Sequence, residues 1–355
     1  MANQIHNINV IAKETLPSPK TIKAILPLTQ SARETVFNSR NALVSILDRK
    51  DKRLIVVVGP CSIHDIDAAK DYASRLKNLA DDLSDVFHIL MRVYFEKPRS
   101  VVGWKGLIND PYLDGSFQIN DGLHIARKLL LDLAEMGIPA ATEYLDLISP
   151  QYIADLVSWG AIGARTTESQ AHRELASGLS CPVGFKNATD GGLQIAVDAC
   201  LSASKPHHFM SLTKDGHSAI FSTTGNPDCH VILRGGKKPN YDQTSIDEAA
   251  EVIGRSGQPV RIMIDCSHAN SGKDHLQQEV VGRLLAEQIA SGDNRIIGLM
   301  LESNLVAGKQ NVEADKELVY GQSITDACMA WENSEPLLRE LAAAVRQRRK
   351  NSAAA

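Results

Sequence analysis

Short apolar runs recur along the chain, and a polar residue closes or lies in each. LIVVVGPC ends at Cys61, ILMRVYF carries Arg92, PAATE ends at Glu143 and AIGAR ends at Arg165. The series continues with PVGFK to Lys186, HVILR to Arg234, RIMIDCSH to His268 and IIGLMLE to Glu302. Runs this continuously apolar predict strands buried on both faces, the habit of parallel sheets, and helix-like stretches separate most of them. Eight such units predict an α/β fold, a (β/α)8 TIM barrel. In that architecture the working side chains sit at the C-terminal ends of the strands, so the fold and the site are one inference.

Punctuation between the runs predicts the outer helices. Ser149 as N-cap, Pro150 at the first helical position and Gly160 at the end delimit one. Ser245 and Glu248 stand at capping-box spacing in another. Ile125, Leu129, Leu130, Leu133 and Met136 fall at helical spacing in a third, which Gly137 stops. Residues 1–50 read as an N-terminal extension broken by Pro17, Pro19 and Pro27, with a helix over 33–48. The barrel is expected over 51–345, followed by a tail at 346–355 whose RQRRK run closes a helix, where cations suit the dipole. Two stretches interrupt the repeat. The Gly- and Pro-containing connection 97–115 is expected to cover the site. Residues 207–225, with β-type residues on both sides of Asp215-Gly216, read as a hairpin inserted before the sixth barrel strand.

Composition narrows the class. A 355-residue chain with 43% hydrophobic and 23% charged residues has the core material for one soluble barrel plus extensions. Its net charge of -4 gives no global attraction to nucleic acid or to an anionic membrane. No apolar run approaches the roughly 20 residues that span a bilayer, and the start lacks a secretory pattern, so a cytoplasmic protein is expected. The six cysteines are scattered without a C-x-x-C pair and read as thiols. Neither nucleotide-binding glycine motif is present, and no G-x-S-x-G elbow supports a serine nucleophile.

What chemistry remains is anionic and metallic. Arg92, Arg165, Lys186, Arg234 and Lys97 come from strand ends or the loop just beyond them, and a mouth lined this way suits a small phosphorylated carboxylic acid. Cys61, His268, Glu302 and Asp326 could hold one divalent ion, a mixed soft and hard set open to several first-row metals. Alone, each is more often packing or surface; only the barrel unites them. Strand alternation would put Cys266 on the face of His268, as packing, and turn Asp265 the other way.

The runs GPCSIHD, MRVYFEKPRS, GWKGLINDP, GARTTESQ, PVGFKN, ILRGGKKPNY and DCSHAN together make the chain resemble the bacterial type I 3-deoxy-D-arabino-heptulosonate 7-phosphate (DAHP) synthases regulated by aromatic amino acids. The likeness runs from about residue 40 to 345. It implies a metal-dependent condensation of phosphoenolpyruvate (PEP) with erythrose 4-phosphate, the first step of the shikimate pathway, with release of inorganic phosphate. By resemblance Cys61, His268, Glu302 and Asp326 are the ligands of one divalent ion, Mn2+ ahead of Fe2+, Co2+ or Zn2+. Arg92, Glu143, Ala164, Arg165, Lys186 and Arg234 match the PEP site. Lys97, Pro98, Arg99 and Ser100 match the erythrose 4-phosphate site, with Ser100 in place of the commoner threonine, and Lys97 is the candidate proton donor. The extension and hairpin imply an aromatic amino acid effector near Pro150, Gln151, Leu175, Leu179, Phe209, Ser211 and Phe221. Tyrosine-responsive relatives tend to carry glycine at the position of Ser211, which favours phenylalanine, although tryptophan-responsive ones also carry serine. A homodimer or homotetramer is implied. The alternatives are the sister condensation with arabinose 5-phosphate, a silent barrel that senses an amino acid, and a metal-dependent aldolase.

Overall fold

The computed structural model describes residues 5–99, 101–313 and 316–354. Two helices precede the barrel. α1 (Pro19–Ile25) starts where the Ser18 hydroxyl accepts the Thr21 amide, with Pro19 in its first turn. α2 (Gln30–Leu47) starts where the Thr29 hydroxyl accepts the Ala32 amide. There follow β1 (Leu54–Gly59), α3 (Ile66–Asp82), β2 (Phe87–Arg92), α4 (Ile119–Glu135), β3 (Ala140–Glu143), α5 (Pro150–Ile153) and β4 (Val157–Ile162). Next come α6 (Gln170–Gly178), β5 (Val183–Lys186), α7 (Gln194–Ala203), β6 (His208–Leu212), β7 (Ser218–Ser222), β8 (Cys229–Leu233) and α8 (Gln243–Arg255). The chain closes with β9 (Ile262–Asp265), α9 (Gln277–Ala290), β10 (Ile296–Asn304), β11 (Met329–Ala330) and α10 (Trp331–Ala354).

The strands β1, β2, β3, β4, β5, β8, β9 and β10 lie side by side in parallel, and β1 pairs with β10 to close the ring. This is the expected (β/α)8 barrel, with β11 added outside the ring at the end of β10. β6 and β7 form the expected antiparallel hairpin, turning through Gly216 at φ +86°. Ile55, Val57, Leu90, Ala141, Trp159, Ala161, Ile232, Met263 and Met300 fill the barrel interior. Leu43, Ile46 and Leu47, in the last turns of α2, join them and plug the N-terminal end. The alternate strand residues pack outward in one continuous layer against the helices. No helix among the described residues is long and apolar enough to cross a membrane.

Several expected boundaries move. α4 ends as predicted, with Gly137 left-handed at φ +78°. The helix expected from Ser149 to Gly160 is only one turn, α5, followed by a 3-10 turn, Ala154–Leu156, and then by β4. Trp159 and Ala161 alternate into the barrel, and Gly160 faces the Tyr144 ring so closely that a Cβ would lie 2.5 Å from it. Glycine there admits a ring; it does not end a helix. Ser149 gives no side-chain cap, and its hydroxyl donates to Glu96 instead. α8 begins before Ser245: the Asp242 carboxylate accepts the Ser245 amide and so displaces the expected capping box. Residues 346–354 form no tail, since α10 runs through them and Arg346 pairs with Asp85 at 2.8 Å.

Ring closure leaves one position without room. Gly298 pairs with Ile55 across the β1–β10 seam, and a Cβ at this glycine would come within 2.3 Å of the Ile55 carbonyl oxygen. Gly298→Ala is expected to force the seam apart and cost about 2 kcal/mol or more in urea unfolding. Unchanged stability would mean that the closing strands are not packed this tightly.

Candidate active site

One polar donor after another reaches the mouth from the strand ends. Cys61 lies just beyond β1, Glu302 in the last residue pair between β1 and β10, and Asp326 in the loop before β11. Their ligand atoms all lie within 4.8 Å of one another, with Cys61 and Glu302 buried. His268 stands outside that group, although its Nε2 is 3.8 Å from Glu302 Oε1. Its Nδ1 is held from behind by Asp265 at 2.8 Å and by the Ser267 hydroxyl at 2.6 Å, which turns Nε2 towards the cluster. Burial, with Glu302 beside it, pushes the Cys61 thiol up despite Lys97 and Arg92. Burial also raises the carboxyl of Asp326, but Lys97, His268 and Lys273 outweigh it and hold that carboxyl below its usual range. A thiolate source and two carboxylates at one point, with an imidazole beside them, are a donor set that fits a divalent first-row ion.

Asp265 corrects the strand-alternation reading. It is fully buried and faces the mouth, 3.2 Å from Lys186 Nζ, while Cys266 packs outward in the layer beneath the helices. β9 ends at Asp265, and His268 takes a left-handed conformation at φ +58°, so alternation no longer governs where its ring points. Burial opposes ionisation of Asp265, but His268 and Lys186 hold its carboxyl well below the usual range.

The cations surround a cavity of about 570 Å3. Lys97, Arg99, Arg165, Lys186 and Arg234 line it, together with Pro98, Ala164, Glu143, His268 and Asp326. Arg92 sits deeper, 1% exposed, donating to the Pro60 and Cys61 carbonyls and pairing with Glu302 at 2.8 Å. Its Nη1 is buried without a protein partner, and its guanidinium lies 3.6 Å from the Tyr94 ring centroid. Lys186 also approaches Glu143, at 3.9 Å. Lys97 Nζ donates to Cys61 Sγ at 3.0 Å; burial disfavours its charge, but Cys61 and Glu302 outweigh that and raise its pKa. Arg165 lies in the turn after β4, exposed, since the strand stops at Ile162. Arg234 follows β8 directly, and burial, with Arg165 among the nearby charges, lowers its pKa. Ser100 lies outside the described residues.

Sequence reasoning missed two contributors. Lys273 lines the same cavity, left-handed at φ +64°, its amide bonded to the His268 carbonyl at 2.7 Å. The cation closing the SHANSGK turn was the available signal. Gln278, buried in α9, grips the backbone of Glu302 at both its amide (2.8 Å) and its carbonyl (3.1 Å), and so replaces a strand neighbour beyond the end of β9. Nothing in the local sequence pointed to that grip.

The effector set divides among four elements. Pro150 and Gln151 stand on α5, Leu175 on α6 with Leu179 just beyond it, Phe209 and Ser211 on β6, and Phe221 on β7. Phe209 and Phe221 stack across the hairpin at 6.1 Å. The hairpin docks on α6 through the Ser177 and Thr223 hydroxyls, 2.7 Å apart, and on α1 through Lys20 and Asp215 at 3.0 Å.

Glu96, next to Lys97, is 4% exposed and receives the Ser149 hydroxyl at 3.0 Å. Burial, then Asp146, pushes its carboxyl up from 4.5 to about 7. Between those values the native state keeps a proton that the unfolded chain releases, so the favourable contribution is full below 4.5 and lost as pH rises through about 7. Glu96→Gln is therefore expected to exceed the parent in stability by up to about 3 kcal/mol near pH 8, with the gap narrowing towards pH 5. Urea unfolding at both pH values checks this, and a gap independent of pH would contradict it.

Comparison with known proteins agrees with this geometry. The family described as the DAHP synthetase I family matches residues 27–339. The chain is 59% identical over 337 residues to the Phe-sensitive phospho-2-dehydro-3-deoxyheptonate aldolase of Escherichia coli (strain K12), covering 95% of this chain and 96% of that one. It is 51% identical over 338 residues to the Tyr-sensitive protein of that name from the same organism, covering 95% of each. The solved phospho-2-dehydro-3-deoxyheptonate aldolase of Francisella tularensis SCHU S4 superposes with a TM-score of 0.94 at 51% identity, covering 96% of this chain and 99% of that one. Matched from before the start of the plugging helix into the first turns of the last one, the chain belongs to the DAHP synthetase I family.

Proposed function

We propose that the barrel mouth condenses PEP with erythrose 4-phosphate and water, giving DAHP and inorganic phosphate as the first step of the shikimate pathway. The observation that carries the reading is a cation-lined cavity abutting three converging donors. Two phosphorylated anions and one divalent ion account for that combination.

In this reading Cys61, His268, Glu302 and Asp326 hold the ion, Mn2+ ahead of Fe2+, Co2+ or Zn2+ because two of the four donors are carboxylates. When bound, it supplies Lewis-acid polarisation of the aldehyde carbonyl. Arg92, Arg165, Lys186 and Arg234 bind the phosphate and carboxylate of PEP, with Glu143 and Ala164 completing that side. The buried Nη1 of Arg92 has a donor to offer such an anion. Lys97 and Pro98 lie beside the aldose, and Arg99 with Ser100 takes its phosphate.

The methylene carbon of PEP attacks the aldehyde carbon, and the alkene electron pair becomes the new C–C bond. Lys97 delivers a proton to the aldehyde oxygen, a role suited to an ammonium kept charged by Cys61 and Glu302. Water adds at the second carbon of PEP and loses a proton, and the phosphohemiketal releases phosphate by C–O cleavage. The fixed cations hold both anions in reacting geometry, which can lower the barrier by several kcal/mol.

Feedback inhibition by phenylalanine completes the proposal, with the effector between α5, α6 and the hairpin. Ser211 and the higher identity to the Phe-sensitive relative than to the Tyr-sensitive one support that choice. Pro150 adjoins Ser149, whose hydroxyl reaches Glu96 beside Lys97, so the two regions are in contact. The protein works as a homodimer or homotetramer in the cytoplasm.

Two measurements test the reading. PEP loss and phosphate release, followed together, are expected to require the aldose, to stop on chelation, to return with Mn2+ and to fall with phenylalanine but not tyrosine. Phosphate release without aldose, or turnover that survives chelation, would contradict it. Lys97→Met is expected to lower turnover about 100-fold or more while Mn2+ binding by paramagnetic resonance persists. Near-normal turnover would remove Lys97 as the proton donor.

A further inference from the structure

A second concentration of positive charge lies at the opposite end of the barrel. A cavity of about 260 Å3 opens there beside the first residues of β1 and β10. Arg49, Lys52, Arg53, Arg348 and Arg349 line its rim, and Ile46, Leu54, Ile296 and Ile297 its floor. Asp51 is the one acid in the lining, and it is engaged by Arg53 through both carboxylate-directed nitrogens, at 2.9 and 2.7 Å.

The carboxylates just outside are committed as well. Asp48 pairs with Arg261 at 3.0 Å, Asp293 with Arg295 at 2.7 Å and Asp85 with Arg346 at 2.8 Å. Arg49 and Arg349 are held differently, by backbone carbonyls. Arg49 donates to Asn294 and Val260 at 2.9 and 3.0 Å, and Arg349 donates to Asp85 O at 2.7 Å. Such bonds fix a guanidinium without neutralising it. Arg349 Nε is buried and makes no hydrogen bond. Arg49 keeps a left-handed backbone at φ +59°, a position that favours glycine, and so spends conformational strain where a guanidinium is presented. Burial and the charges of Arg349 and Arg49 lower the pKa of Arg348, while Asp293 offsets part of this.

We propose that this cavity binds a small tetrahedral oxyanion, inorganic phosphate or the phosphate group of a small ester. The forked donors of arginine match such an anion. The apolar floor leaves room for a short carbon body. An anion there joins the connection between α2 and β1 to the end of α10, two segments remote in sequence. The site lies at the plugged end of the barrel and uses none of the residues assigned to the mouth, so its failure would leave the proposed reaction standing.

Crystals of the full-chain holoenzyme soaked in tungstate, an anomalously scattering analogue of phosphate, are expected to show a peak between Arg49 and Arg349 besides any at the mouth. The double variant Arg49→Ala, Arg349→Ala is expected to lose that peak, keep the mouth's and retain parental turnover. In solution, with PEP saturating the mouth, inorganic phosphate and glycerol 3-phosphate are titrated calorimetrically into parent and variant. Saturable binding that weakens about tenfold or more in the variant supports the site. Tighter binding of glycerol 3-phosphate then assigns it to an ester, and tighter or equal binding of phosphate assigns it to the free ion. A soak that labels the mouth alone, or affinities that the substitutions leave unchanged, overturns the proposal.

Discussion

The mouth of this barrel depends on the buried ion pair between Arg92 and Glu302, 2.8 Å apart. β1 lies between β2 and β10, so the pair arches over the end of β1, and Arg92 also binds the carbonyls of Pro60 and of Cys61 itself. Removing one partner of such a pair strands the other charge in the interior, at a typical cost of about 3–5 kcal/mol. Buried charge here therefore comes in opposed sets: Arg92 and Lys97 with Glu302, and Lys186 with Asp265 and Glu143. Those sets fix the inner donors before any ligand arrives. Arg99 and Arg165, by contrast, stand in solvent, where an incoming anion meets them first.

The transition from packed core to reactive mouth takes two residues on several strands. Leu90 precedes Arg92, Ala141 precedes Glu143, Ile232 precedes Arg234, Met263 precedes Asp265 and Met300 precedes Glu302, and each first member lies in the interior core. Period-2 alternation carries the same face from apolar to charged in one step. The other end closes with hydrocarbon from α2, so the polar layer has one outlet. Within the core, Trp159 Nε1 lies 3.1 Å from His230 Nε2, so the polar tip of the largest interior side chain is satisfied.

That step is also why the fold and much of the site were legible in the sequence. Apolar runs closed by polar residues predicted the ring, and three of the four residues proposed as ligands bring their donor atoms within 4.8 Å of one another, with His268 nearby. The reading failed where period ceased to apply. Past the end of β9, the left-handed turn at His268 separates sequence alternation from direction, which reversed Asp265 and Cys266. In PQYIADLVSWG the apolar residues satisfy a helix and a strand about equally, and pairing with β3 and β5, with Tyr144 packed on Gly160, decides for the strand. Gln278 supports Glu302 from another element altogether, a relation no local pattern encodes.

The position of one bound ion decides whether the mouth is the metal and PEP site. Crystals of the protein with Mn2+ and PEP, measured at the manganese absorption edge, should show one strong peak at the mouth ligated by Cys61, His268, Glu302 and Asp326. PEP should lie beside it, against Arg92, Arg165, Lys186 and Arg234. A manganese peak away from these four side chains, or PEP bound outside the cationic cavity, would contradict the account.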